Sequence, residues 1–183
     1  MLDANVLSSY PLTSVLLELA ELRLYRPIWS VDIQEEWLRA AKRNRPDIAP
    51  EKLDRRRAAM DEALPDACVG GYRRLIAVLE LPDPDDRHVL ATAIRAKAQV
   101  IVTFNEKHFP ADALAEYDLI TQHPDTFLRH LIDLAPNAVR TRLEEMVGAL
   151  KSPPMTVANY ISLLERQSLP ESAAALRDLF GAN

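Results

Sequence analysis

The sequence predicts an α/β fold with a mostly parallel central sheet and an all-helical extension at its C-terminal end. Up to about residue 122, stretches of helical periodicity alternate with short apolar stretches, such as residues 99–102, that favour buried parallel strands. From His123 onwards the strand signal stops, and proline dipeptides separate four helical segments. These dipeptides are Pro124–Asp125, Pro136–Asn137, Pro153–Pro154 and Pro170–Glu171. We therefore predict an α/β domain over residues 1–134 and a helical extension over residues 135–183.

The first predicted elements are the end of a strand and two helices. Apolar residues flank Asp3 and Asn5, which is typical of a buried strand that turns into a loop, and open α/β folds bind ligands at such strand ends. Residues 12–24 form a strongly apolar helical pattern. Ser30 is the expected N-cap of a second helix over residues 31–43. The expected buried stripe of this helix is Ile33, Trp37, Ala40 and Ala41, with Glu35 and Glu36 near its edge.

Three further elements are predicted before the centre of the chain. Pro50 is expected to open a helix that runs to about Ala63, because proline is well placed at the first helical position. Residues 66–69 are a candidate strand, and the glycine pair that follows marks a turn before a helix over residues 72–79.

The central stretch holds the strongest local signals. Asp83 is the expected N-cap of a helix and Pro84 its first residue, while two further aspartates in the first turn suit the positive end of the helix dipole. An apolar helical face leads into the β-branched strand at residues 99–102. Pro110 opens a short helix, and residues 117–121 are the last candidate strand.

Composition excludes several classes of protein. Hydrophobic residues make up 48% and charged residues 27% of the 183 residues, as in ordinary globular proteins. No apolar run approaches the roughly 18 residues of a membrane span, no signal-peptide pattern precedes Asp3, and Cys68 is the single cysteine, so we expect a cytoplasmic protein. The chain has only four glycines, which excludes dinucleotide-binding turns, Walker A loops and GxSxG nucleophile elbows.

The charge is unevenly distributed along the chain. The net charge is −5, but residues 39–57 contain eight basic and three acidic residues, a local excess of +5. A basic segment beside an acidic body is one way to hold a phosphate backbone near carboxylates. On charge alone, a solvated helix surface is the simpler interpretation, and both remain open.

Four acidic or amide positions form a candidate site: Asp3, Glu36, Asp86 and Asn105. If the strands are parallel neighbours, Asp3 and Asn105 emerge at the same edge of the sheet, and the start of the central helix can lie beside them. Clustered carboxylates repel one another unless a cation neutralises them. Oxygen ligands select a hard cation, Mg²⁺ or Mn²⁺, which polarises phosphate oxygens and activates a bound water.

Four stretches in order resemble the successive motifs of PIN-domain nucleases, and most of all those of the VapC-type toxins of prokaryotic toxin–antitoxin pairs. The stretches are LDANVL, WSVDIQEEWL, LPDPDDRHVLATAI and VIVTFNEKHFP, and the resemblance covers about residues 2–125. The residues of the last two stretches, together with a helical tail, are similar to one subgroup of these toxins in particular. The resemblance implies a three-layer α/β/α fold, Mg²⁺- or Mn²⁺-dependent cleavage of RNA, a cognate VapB-like antitoxin that occupies the active site, and homodimerisation.

The resemblance also implies roles for individual residues. The implied catalytic and metal-binding residues are Asp3, Glu36 (with Glu35 as the fallback), Asp86 and Asn105, the last standing where many relatives have Asp. The implied supporting residues are Asn5, Asp83 and Thr103. Arg43, Arg55, Arg56 and Arg57 of the basic segment are expected to hold the RNA backbone, or to face the antitoxin.

The sequence departs from the family pattern in two ways. Where the family has about four or five apolar residues before the first acid, here Met1 and Leu2 precede Asp3, so either the natural start lies upstream or the first strand is shortened. Asn105 is a neutral ligand, which lowers the charge of the site. His108 stands where the resemblance leads us to expect Asp, and we interpret it as a surface or capping residue, with contact to substrate or metal left open as the alternative. His88 is expected on the helix surface, and Cys68 as a buried thiol.

The sequence thus predicts a metal-dependent endoribonuclease, the toxin of a type II toxin–antitoxin pair. One alternative is a catalytically silent PIN-fold module that keeps the fold to bind a partner. The other is a phosphatase of the haloacid-dehalogenase type, whose D-x-D loop LDANVL loosely resembles, with Asn5 in place of the second acid.

Overall fold

In the computed structural model, which describes residues 1–151 and 154–181, the chain forms two compact units. The first comprises Met1–Ser8 and Arg26–His123, and the second comprises Ser9–Tyr25 and Pro124–Asn183. The second unit therefore takes in an N-terminal helix as well as the C-terminal helices. The predicted domain boundary after residue 134 stays a prediction, and Pro153 of the predicted Pro153–Pro154 break lies outside the described residues.

The first unit is built on a small parallel sheet. Strands β1 (Val100–Val102) and β2 (Ile120–Gln122) pair in parallel, with Val100 opposite Ile120. On the other side of β1, Leu2 forms a parallel bridge to Val102. Hydrogen bonds continue this order outward, so that five backbone segments lie side by side in the order 67–69, 28–29, 1–3, 100–102 and 120–122.

The strands are short, as the sequence indicates, but two of the predicted ones are reduced to single bridges. The stretch at 99–102 is confirmed as β1, whose Ile101 and Val102 are almost fully buried. The last strand begins at Ile120 rather than residue 117, because the preceding backbone closes the turn after a helix. In the described residues, the predicted strand at 66–69 is present only as the bridge between Trp29 and Cys68.

The helices of the first unit surround the ends of these segments. They are α1 (Ala4–Ser8), α3 (Val31–Asn44), α4 (Pro50–Ala63), α5 (Arg73–Ile76), α6 (Arg87–Arg95) and α7 (Ala111–Ala115), with 3₁₀ turns at Pro84–Asp86 and Glu106–His108. Ser30 caps α3 as predicted, accepting the N–H of Ile33 at 3.4 Å. Ile33 and Trp37 of the predicted stripe are buried, whereas Ala40 and Ala41 are half-buried.

The second unit is all-helical within its described residues. Its helices are α2 (Tyr10–Glu21), α8 (Pro124–Leu134), α9 (Pro136–Gly148), α10 (Val157–Arg166) and α11 (Pro170–Phe180). The buried carboxylate of Asp125 accepts the N–H groups of Glu171 and Ser172 at 2.9 and 2.7 Å, and so caps the start of α11 from α8. Among the helices of residues 1–151 and 154–181, none combines the length and apolar character that crossing a bilayer requires.

The predicted fold class is therefore confirmed. The first unit combines helices with a small, parallel sheet, and the four helical segments predicted after His123 are the helices α8 to α11.

Candidate active site

Asp3 lies at the point where the order of the sheet reverses. Its segment has residues 28–29, the next segment along the chain, on one side and β1 on the other, so the order of the segments in the sheet changes direction here. Such a switch point leaves a crevice at the carboxyl ends of the strands. The backbone N–H of Asp3 donates to the Val102 carbonyl at 3.1 Å, and its side chain is only 4% exposed.

The carboxylate of Asp3 is held by three donors. Oδ1 accepts the backbone N–H of Ala4 at 2.6 Å, and Oδ2 accepts both Asn5 Nδ2 and Thr103 Oγ1 at 2.7 Å. These three donors, a backbone amide, a side-chain amide and a hydroxyl, are all neutral, and the described residues place no cationic hydrogen-bond donor on the carboxylate. Asp3 is therefore buried and oriented without a cationic side chain to balance its charge.

Asn5 and Thr103 join the first acid to the turn after β1. Asn5 Nδ2 also donates to Thr103 Oγ1 at 2.9 Å, and Asn5 Oδ1 accepts the backbone N–H of Phe104 at 3.2 Å. Thr103 Oγ1 in turn accepts the backbone N–H of Asn105 at 3.0 Å. Asp3 and the backbone of Asn105 therefore lie at the same edge of the sheet, as expected, and Thr103 connects them. Asn105 itself is exposed.

Asp83 and Asp86 stand at the two ends of a tight turn. Asp83 Oδ1 accepts the N–H of Asp85 at 3.0 Å, which confirms it as a cap, although it caps the 3₁₀ turn Pro84–Asp86 that leads into α6. Asp86 is half-buried, and its Oδ2 lies 2.7 Å from His108 Nδ1.

His108 contacts the acids of this candidate site, so it is not the exposed surface residue that we expected. Besides its contact with Asp86, Nδ1 lies 3.9 Å from Asp83 Oδ2, and the side chain is 27% exposed. One donor atom from each of Asp83, Asp86 and His108 lies within 4.8 Å of the other two. The signal that could have located His108 is its position in the turn after β1, on the same edge as Asn105.

Glu36 is held by a second histidine. Its Oε2 lies 3.3 Å from His88 Nε2, while His88 Nδ1 lies 2.7 Å from the backbone oxygen of Asp85. The His88 side chain is 17% exposed, so its expected place on the helix surface is wrong. His88 therefore ties Glu36 of α3 to the turn that carries Asp86.

Comparison with known proteins decides the family. A family model described as "PIN domain" matches residues 1–107, which is more than half of the chain. The chain belongs to the PIN-domain family. The resemblance of its four motifs is confirmed, and residues 124–178 match a model described as "VapC50 C-terminal domain", as expected for a subgroup with a helical tail.

A relative of this PIN-domain protein is known in Mycobacterium tuberculosis. It carries the name "Putative ribonuclease VapC50" and is 44% identical over 110 residues, which make up 60% of this chain. The aligned part spans 64% of that relative, a little under two thirds of its length. No solved structure matches the chain.

The acids of the PIN domain lie close enough to influence one another. The pKa of Asp3 is raised to about 6, chiefly by burial and also by the negative charges of Glu36 and Asp86, while the hydrogen bonds from Thr103 and Ala4 oppose the rise. Burial also raises the pKa of Asp86, as do Asp83 and Glu36, while His108 opposes it. An uncompensated, buried carboxylate beside two others is an arrangement that a divalent cation would stabilise.

The PIN-domain histidine at position 88 responds to the same charges. Burial by itself would lower the pKa of His88, but the contacts with the Glu36 carboxylate and the Asp85 carbonyl outweigh it and raise the pKa. The charged form of His88 is therefore favoured next to Glu36.

The predicted RNA-binding arginines differ in their surroundings. Arg43 and Arg55 are exposed and Arg57 is half-buried. Arg56 instead donates to the Leu7 carbonyl at 2.8 Å, and its guanidinium lies 4.9 Å from the centre of the Trp37 ring. Arg56 thus fastens α4 to the end of α1.

The cysteine of the PIN domain is not buried as we expected. Cys68 is exposed, because the backbone around it pairs with Trp29 while its neighbour Ala67 takes the inward position. Burial of the thiol is only partial, and it raises the pKa of Cys68 together with the nearby carboxylate of Asp61.

Proposed function

We propose that this PIN-domain protein is a metal-dependent endoribonuclease and the toxin of a type II toxin–antitoxin pair. The observation that carries the proposal is the buried Asp3 carboxylate, which lies at the crevice of the sheet and within electrostatic reach of Glu36 and Asp86. The name of the relative in Mycobacterium tuberculosis and the match of residues 124–178 support the same conclusion.

The residues that would hold a cation are Asp3, Glu36 and Asp86, with Asn105 assisting as a neutral oxygen donor. This set of oxygens suits Mg²⁺ or Mn²⁺. Such a cation would supply Lewis acidity, which polarises phosphate oxygens and lowers the pKa of water, so that water becomes a nucleophile at neutral pH.

The side chains around the acids prepare them for this task. Asn5 and Thr103 fix the rotamer of Asp3 through its Oδ2, which leaves less to be ordered when a cation binds. His88 holds Glu36 towards the turn of Asp86, so the acids from α3 and from the start of α6 converge on the crevice. Asp83 keeps that turn closed by capping it.

The RNA backbone would lie along the basic segment. Arg43 and Arg55 are exposed, and Arg57 is partly so, and these cations can neutralise phosphates on either side of the scissile bond. Since Arg56 is engaged by Leu7 and Trp37, we assign it a structural role. A VapB-like antitoxin would compete with RNA for the same crevice. Homodimerisation and a cytoplasmic location stay predictions.

The experiment that tests the proposal is cleavage of total cellular RNA by the purified chain. We expect discrete cuts with Mg²⁺ or Mn²⁺, none with EDTA, and none with the Asp86→Asn variant, whose folding should stay near normal. Asp85→Asn is the matched control, because Asp85 lies in the same turn but is exposed, and it should cut like the wild type. Cutting by Asp86→Asn at the wild-type rate would overturn the assignment of the site.

The same assay decides between the alternatives. Absence of cutting by well-folded protein would favour the catalytically silent module. The phosphatase alternative is weakened by Asn5, whose side chain is fully engaged by Asp3, Thr103 and Phe104 and has no proton to transfer as a general acid. Release of phosphate from a small phosphomonoester, with no RNA cleavage, would instead support it.

A further inference from the structure

The imidazole of His108 lies against the two aspartates of the turn that leads into α6. Its Nδ1 lies 2.7 Å from Asp86 Oδ2 and 3.9 Å from Asp83 Oδ2. Donor atoms about 2.1 Å from one cation lie roughly 3 Å apart when adjacent and roughly 4 Å apart when opposite. The three donor atoms lie within 4.8 Å of one another, so only small side-chain adjustments would bring all of them around a single cation.

The backbone holds His108 in this position. His108 ends the 3₁₀ turn Glu106–His108, and its N–H donates to the Asn105 carbonyl at 2.9 Å. The next residue, Phe109, is 1% exposed and anchors the turn in the core. Asp83 and Asp86 are fixed in the same way by their own 3₁₀ turn. Nδ1 is thus presented to the carboxylates by two short, well-anchored turns.

A nitrogen donor changes the cation that a carboxylate site prefers. Mg²⁺ binds oxygen almost exclusively, whereas imidazole suits first-row transition metals, whose affinity for such sites rises from Mn²⁺ to Co²⁺ and beyond. We propose that His108 is a metal ligand through Nδ1, together with Asp86 and Asp83, and that it shifts the site from Mg²⁺ towards a first-row transition-metal dication. This inference rests on the proposed function, since it concerns the cation of the same site.

Metal binding to the full chain tests the inference without any measurement of activity. Titration calorimetry with Mg²⁺, Mn²⁺ and Co²⁺, each alone, is compared for the wild type, His108→Asp and His108→Gln. We expect the wild type to bind Co²⁺ and Mn²⁺ more tightly than Mg²⁺. His108→Asp should keep Mg²⁺ binding and lose about tenfold or more in Co²⁺ affinity, the lower end of what loss of even an outer partner costs a metal site. An unchanged Co²⁺ to Mg²⁺ ratio in both variants would overturn the inference.

Pulsed EPR of the Mn²⁺-loaded protein identifies the nitrogen directly. We expect ¹⁴N coupling in the wild type and its loss in His108→Asp. His130→Gln is the control for replacing an exposed histidine, and it should keep the coupling. His88→Gln should keep it as well, because His88 faces Glu36 rather than Asp86. Coupling that survives in His108→Asp, or that disappears in His88→Gln, would contradict the assignment of His108.

Parallel RNA cleavage separates this inference from the proposed function. Binding with ¹⁴N coupling but without cleavage of RNA would sink the nuclease and leave the metal ligand standing. Metal-dependent cleavage with an unchanged preference in His108→Asp would leave the nuclease standing and remove His108 from the ligand set. Failure of all three cations to bind would remove both.

Discussion

Removal of metal should make the stability of the first unit fall as the pH rises, because Asp3 must ionise in a buried position. The pKa of Asp3 is about 6 in the folded protein against its ordinary value of 3.8. A group whose pKa is raised by folding stabilises the protein fully below its unfolded value, and this contribution is lost as the pH rises through the folded value. The difference of about 2 units corresponds to about 3 kcal/mol of unfolding free energy, lost between about pH 4 and pH 7.

Two further groups act in the same direction. Folding raises the pKa of Asp86, chiefly by burial, and that of His88, through Glu36 and Asp85. Both contributions are also present at low pH and are lost as the pH rises, so they add to the effect of Asp3 rather than cancel it. A divalent cation should reverse the loss, since it stabilises the ionised acids.

Urea unfolding followed by tryptophan fluorescence reports on the first unit, where Asp3 lies. The two tryptophans, Trp29 and Trp37, are both fully buried in the first unit, which also holds Asp3. In metal-free buffer we expect the titration of Asp3 to lower the unfolding free energy by about 3 kcal/mol, with half of this loss reached near about pH 5, and saturating Mg²⁺ or Mn²⁺ to restore most of it at pH 7.5.

Asp3→Asn is the control for the origin of the slope. Asparagine keeps the size of the side chain but cannot ionise, so the fall between pH 4.5 and 7.5 should become shallower and keep only the contributions of Asp86 and His88, whatever the absolute stability of the variant. A wild-type free energy that stays constant or increases over this range without metal would refute the reasoning, as would a slope that persists unchanged in Asp3→Asn.

Four substitutions test other contacts. Thr103→Val removes the hydroxyl that donates to Asp3 and should lower the unfolding free energy by about 1–3 kcal/mol and slow RNA cleavage, measured on the same preparation. Arg56→Ala should cost about 1–2 kcal/mol in urea unfolding, because it loses a hydrogen bond and a ring contact. Arg55→Ala should leave stability unchanged but weaken RNA binding, and the slope of log affinity against log salt should fall by about one, as for the loss of one phosphate contact. If instead Arg55→Ala lowered stability and Arg56→Ala weakened RNA binding, the roles assigned to the two arginines would be wrong. Asp125→Ala removes the cap of α11 and should lower the free energy of unfolding by about 1–2 kcal/mol. The loss should appear as a lower midpoint of thermal unfolding followed by far-UV circular dichroism, and an unchanged midpoint would mean that the cap contributes nothing.

Features that depend on neighbours in sequence could be predicted from the sequence. Ser30 and Asp83 cap the turns that directly follow them, and each bond spans two or three residues, so the residue type and its position are sufficient signals. The same holds for Pro50 at the start of α4 and for the β-branched strand β1.

Features that depend on distant contacts could not be predicted in this way. His108 and Asp86 are 22 residues apart, and no local pattern indicates that their side chains meet. The apolar face of α2 was visible in the sequence, but its grouping with the C-terminal helices was not, because a hydrophobic stripe does not specify its partner. The family resemblance pointed to the acids, whereas the contacts of both histidines required the structure.

The network around Asp3 explains how a segment with a single bridge can still position the first acid of the proposed site. The backbone of Asp3 is fixed by Val102, and its carboxylate by Asn5 and Thr103, so the end of β1 determines where the acid points. The positioning of the first acid therefore depends more on the side chains at the end of its neighbour than on the length of its own strand.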